Sequence, residues 1–118
     1  MGSGRERFGA FVRREREAKE IGLREMAKMI GVSPTYLSKV ERDEFQPPAE
    51  DRVKKIAEVL KLDPDELLAR AGKVASDLTE IIRRQPHETA SFLRSARGRL
   101  TADEWRQLTE RAGKTKSR

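Results

Sequence analysis

The chain has 118 residues, of which 36% are hydrophobic and 39% charged, and a formal net charge of +6. That length suits one domain, or one small domain with an extension, built on a modest core. No apolar run approaches the ~18 residues of a membrane span and no signal peptide is recognisable, so the expected compartment is the cytoplasm. The absence of cysteine excludes a disulfide framework and a thiolate zinc site.

Charge is uneven along the chain. Residues 1–72 hold 15 Lys/Arg against 14 Asp/Glu, whereas residues 73–118 hold 11 against 6. A modest positive balance is compatible with a polyanionic partner and equally with a solvated surface.

The periodicity is helical throughout. Residues 1–7 read as a flexible N-terminal arm. A first helix is expected from Arg5 to Glu20, with Phe8, Phe11, Val12 and Ala18 on one side, and Gly22 breaks it. Leu23 to Ile30 is a second, short helix, and Gly31 can end it because glycine adopts the left-handed conformation without steric cost. Ser33 caps the third helix, Pro34 occupies its first position, and Leu37 and Val40 point inward before it ends near Asp43. After the rigid Phe45-Gln46-Pro47-Pro48 connection, Ala49 to Leu60 carries an apolar stripe of Val53, Ile56, Ala57 and Leu60. Asp63-Pro64-Asp65-Glu66 caps a fifth helix that Ala71-Gly72 ends. Two or three short helices follow, one starting at Ser76 or Asp77, one at Pro86 and one at the capping sequence Thr101-Ala102-Asp103-Glu104. Residues 113–118 are expected to be a disordered tail.

Two short helices joined by a tight turn with glycine are a helix-turn-helix candidate. Such a unit needs a small residue at the crossing, supplied by Ala27. It needs a residue tolerant of left-handed geometry four positions later, supplied by Gly31. Its inward positions must be apolar, and Met26, Ile30, Val32, Leu37 and Val40 comply. The alternative is a helix pair in a bundle that binds no DNA.

Residues 8–72 resemble the lambda-repressor-like family of helix-turn-helix proteins, also called the XRE family. The resemblance lies in VRREREAKEIGLREMAKMIGVSPTYLSKVER and PPAEDRVKKIAEVLKLDPDELL. It implies an all-α, five-helix DNA-binding domain that docks on double-stranded operator DNA, usually as a two-fold dimer, with the third helix in the major groove. The base-facing positions carried over are Pro34, Thr35, Tyr36, Ser38 and Lys39. Lys39 can reach guanine O6 and N7, Thr35 and Ser38 can pair with several bases, and Pro34 can meet a thymine methyl. Tyr36 can lie over a sugar or thymine methyl, send its hydroxyl to a phosphate, or instead pack against the Phe45 loop. Phosphate contacts are expected from Leu23 at the start of the second helix, from Arg24 and Arg42, and from Gln46, with Arg5 and Arg7 as an arm. Arg16 and Glu41 occupy positions resembling a buried structural ion pair. The chain departs from the pattern in lacking a hydroxyl cap before the second helix, in carrying no glutamine on the third helix, and in placing Glu44 where many members have a small residue.

Residues 73–112 lie beyond the motif. Phe92, Leu93, Leu100, Trp105 and Leu108 are too many apolar groups to leave bare on short helices. They are expected to form a dimer interface; the alternatives are an intrachain cap on the first domain and a surface for another protein. No catalytic set is recognisable. His87 is the single histidine, beside Pro86 at a helix start, Ser91 and Ser95 have no paired base, and no cofactor is implied. The reading is a non-enzymatic, sequence-specific transcriptional regulator, a repressor by default. An antitoxin-like protein that sequesters a protein partner through its C-terminal helices is the competing reading.

Overall fold

A computed structural model describes residues 6–114, and the expectations placed on residues 1–5 and 115–118, Arg5 of the arm among them, lie outside it. The described residues form eight helices: α1 Phe8–Ala18, α2 Leu23–Ile30, α3 Pro34–Glu41, α4 Glu50–Leu60, α5 Pro64–Arg70, α6 Ser76–Arg84, α7 Pro86–Ala96 and α8 Ala102–Lys114. They fall into two compact units that divide after Ser76.

In the first unit α1 packs on α3, α3 and α4 pack on α2, and α5 packs on α4. Each helix contributes its apolar stripe to one core. Val12, Met26, Leu37, Val40, Val53, Ile56, Leu60, Leu67 and Leu68 are essentially inaccessible. Full burial of side chains of this size contributes about 1.5–3 kcal/mol each against exposure. The Arg70 guanidinium on α5 lies 3.9 Å from the Phe11 ring centroid and ties α5 to α1.

The first and third helices are shorter than expected, and one residue accounts for part of both limits. Asp43 has φ +59, a left-handed conformation that ends α3: its N–H donates to Val40 O and the Glu44 N–H to Lys39 O. Its carboxylate then reaches back across the fold, accepting the Gly9 N–H at 2.8 Å and the Ala10 N–H at 3.2 Å. Asp43 thus serves as the N-terminal cap of α1, a helix whose preceding residue, Arg7, provides no side-chain cap. At the other end Glu20 turns left-handed, the Ile21 N–H closes onto Arg16 O, and Ala18 is exposed rather than part of the buried side.

The first unit also runs past Gly72. Ala75 inserts into the core, and the Ser76 N–H and hydroxyl donate to Glu50 at 3.1 and 3.3 Å. The Lys54 ammonium and, after it, the Ser76 N–H hold the Glu50 carboxyl below the usual range. Residues 73–76 are therefore held by side-chain and core contacts that no local periodicity announces.

The second unit contains α7, α8 and nearly all of α6. Within it Phe92 meets Trp105 edge-on, with ring centroids 5.7 Å apart. Ala96 is buried, while Leu78, Ile81, Phe92, Leu93, Trp105 and Leu108 are all exposed by more than a third and Leu100 is half-buried. Leu78 and Ile81 are two further exposed apolar side chains of this unit besides the five residues expected. The final helix continues through Gly113 and Lys114, the first two positions of the expected tail. The reciprocal bonds between Thr101 and Glu104 launch it, and no helix-breaking proline follows to stop it earlier.

Candidate nucleic-acid interface

The helix-turn-helix geometry starts at the turn between α2 and α3. Ala27 is fully buried at the crossing, Gly31 adopts φ +78, and the Val32 N–H donates to Ala27 O at 2.9 Å. Ser33 Oγ accepts the Tyr36 N–H at 3.0 Å and Pro34 begins α3, as the residue types require. Leu37 and Val40 anchor the inner face. Pro34, Thr35, Tyr36, Ser38 and Lys39 lie on the outer side, with Thr35 exposed and the other four partly accessible.

The tilt of α3 is fixed by an ion pair on its inner side. Arg16 Nε and Nη2 donate to the two Glu41 oxygens at 2.7 and 2.9 Å, and Nη1 donates to Ile21 O at 2.8 Å. Both side chains are buried. The hydrogen bond to Glu41 raises the Arg16 pKa above its ordinary value, against the opposing effect of burial. A planar fork seated in this way permits little rotation of α3 relative to α1.

Beside the outer face, Leu23, Arg24, Pro34, Thr35, Ser38 and Arg42 line a shallow hollow at the α2 N-terminus. The N–H groups of Leu23 and Arg24 lie outside the hydrogen bonding of α2 itself, and the helix dipole makes this end positive. Gly22 offers no side-chain cap, but Glu25 Oε1 accepts its N–H at 3.4 Å, so the glutamate half of a capping box remains. Arg42 has partners within the chain, donating to Ser38 O at 3.3 Å and pairing with Glu44 at 3.0 Å. The structure therefore brings Leu23, Arg24 and Arg42 together around Ser38. Gln46 is not with them: it lines a separate hollow with Arg7, Phe45 and Arg70.

Two residues outside the expected site bear on it. In the sequence Asp43 marks only the end of a helix, although its cap on α1 fixes where the following loop departs. Phe45 belongs to the rigid connection, and the alternative in which Tyr36 packs against it is the arrangement the structure has. Its ring is 45% exposed, lies 5.7 Å from that of Tyr36, and sits 5.6 Å from the Lys39 ammonium.

A short helix pair with a left-handed glycine turn, a capped and outward-facing second helix, and an adjoining helix N-terminus define the helix-turn-helix class. Residues 12–67 match the family described as Helix-turn-helix, and this part of the chain belongs to that family, in its lambda-repressor-like branch. The chain is 36% identical over 75 residues to the uncharacterized HTH-type transcriptional regulator Rv0474 of Mycobacterium tuberculosis, covering 64% of this chain and 53% of that protein. It is 32% identical over 84 residues to the HTH-type transcriptional repressor RghR of Bacillus subtilis, covering 71% and 60%. The fold is similar to the clp gene regulator ClgR of Corynebacterium glutamicum, with TM-score 0.50, 26% identity and coverage of 80% and 94%. The chain thus spans little more than half the length of these sequence relatives.

Proposed function

We propose that this protein is a sequence-specific DNA-binding transcriptional regulator, acting as a repressor in the cytoplasm on a palindromic operator that it binds as a homodimer. The observation that carries the reading is α3: its inner face is locked by Leu37, Val40 and the Arg16–Glu41 fork, and its outer face carries five side chains suited to base edges. Pro34, Thr35, Tyr36, Ser38 and Lys39 read the major groove. Leu23, Arg24 and Arg42 hold phosphate in the adjoining hollow, and Gln46 takes a more distant one. Repression is supported by the relative RghR, itself a transcriptional repressor.

Selection of bound duplexes from a random pool tests this directly. The expected product is a palindrome with half-sites ~34 Å apart. A Thr35/Tyr36/Lys39 triple alanine should lose the preference and keep weak, salt-sensitive binding, at about 1–3 kcal/mol of discrimination per lost base contact. Equal binding of the whole pool by both proteins would remove the base-reading role.

Dimerisation is assigned to Phe92, Leu93, Leu100, Trp105 and Leu108. Its support is the bare apolar surface of the second unit, which buries little of its own. Truncation after Ser76 keeps the first unit's core and is expected to give a monomer by sedimentation. A truncated form that remains a tight dimer would locate the interface elsewhere. The same apolar surface favours a second reading, in which it captures a protein partner in antitoxin fashion. A monomeric full-length chain that forms a stable complex with such a partner would support that reading over the first.

A further inference from the structure

We propose that Phe45 is a positioning residue for Lys39, fixing which base pair that lysine reads; the inference rests on the DNA-reading role of α3. Lysine is a poor discriminator when free, because its four-carbon stem samples many rotamers and its ammonium is a point charge. Here the stem is constrained. The Lys39 side chain is half-buried on α3, and its ammonium lies 5.6 Å from the centroid of the Phe45 ring. That distance is within the range of a cation–π attraction.

The ring is itself held. It leans on Tyr36 at 5.7 Å with an interplanar angle of 40°, and the backbone of Tyr36 is fixed in the first turn of α3 by the bond from its N–H to Ser33 Oγ. The backbone leading to Phe45 is set by the left-handed Asp43, whose carboxylate is anchored on α1. Pro47 and the buried Pro48 stiffen the chain beyond it. Phe45 is therefore a platform, held through its backbone and by Tyr36, against which the Lys39 ammonium rests. Ordering a lysine before its target arrives removes part of the entropy that binding would otherwise cost. The gain appears at one base pair, not across the whole site.

The test uses the full chain with F45L, F45Y, K39M and the F45L/K39M double variant, each titrated on the duplex selected by wild type and on its single-base-pair variants. Leucine keeps apolar bulk and removes the aromatic face. F45L is expected to lose about two- to fivefold in discrimination at the base pair whose discrimination K39M abolishes, and at no other. It should add nothing in the K39M background, and F45Y should restore wild-type behaviour. Uniform weakening on every duplex, an undiminished effect of F45L in the K39M background, or full discrimination by F45L would each overturn the positioning role while leaving the reading of α3 intact. A wild type that selects no duplex overturns the DNA-reading role itself, and this inference with it.

Discussion

Replacing Gly9 by alanine is expected to destabilise the first unit by at least about 3 kcal/mol, at the upper end of what forced overpacking costs. In an isolated helix the same change would stabilise by ~1 kcal/mol, because alanine has the better propensity. The sign reverses here because α1 crosses α3 at Gly9. A Cβ at that position would collide with the carbonyl oxygen of Val40 and come within 2.8 Å of the Glu41 carbonyl and of the Asp43 carboxylate. Two of those atoms are backbone and cannot swing aside. Any retreat of α1 would also lengthen the 2.8 Å bond from the Gly9 N–H to Asp43, and α3 would lose the helix it rests on. Urea unfolding of G9A against wild type checks the magnitude. A midpoint equal to or above that of wild type would refute the close crossing.

The second large effect is expected at the ion pair. Glu41→Leu leaves the Arg16 guanidinium buried without its carboxylate, and should cost about 3–5 kcal/mol. Pairing it with Arg16→Met should recover most of that loss, because two apolar side chains of similar volume carry no desolvation penalty. The remaining Arg16 contact, to Ile21 O at 2.8 Å, would then be missing, leaving one carbonyl without that donor. Thermal unfolding of the two single variants and the double variant measures the coupling. Additive losses would mean that the 2.7 and 2.9 Å bonds contribute little. In the double variant stability is expected to return while, on the proposed DNA-reading role of α3, discrimination between duplexes stays low, since an apolar contact does not fix the roll of α3 as a bidentate fork does.

Much of this was legible in the residues alone. Gly31 after Ile30, and Ser33-Pro34 before an apolar i, i+3 pair, are local signals with a single mechanical meaning, so the limits of α2 and the start of α3 followed from them. The stripe Val53, Ile56, Ala57 and Leu60 made α4 a one-sided helix whatever it packed against, and Asp63-Pro64 started α5 in the same local way. Arg16 and Glu41 were reached only through resemblance, since two charges 25 positions apart carry no local mark of being partners.

What tertiary structure decided is of one kind: contacts between residues distant in sequence, made possible by the backbone coming close. Asp43 caps a helix 33 and 34 residues away, and nothing in Arg7-Phe8-Gly9 announces that its cap is borrowed. Gly9 reads as a weak helix residue until α3 lies against it. Phe45 reads as a loop that Tyr36 can pack against, and only the fold places its ring beside Lys39 as well. Ser76 reads as a helix start and Ala75 as the residue before it, and neither shows a tie to the first unit until the core and Glu50 claim them. Local propensity and amphipathic spacing act over one or two turns and are written in order along the chain. Caps, crossings and platforms that span the fold depend on where five helices meet, and that arrangement follows from packing the whole core at once.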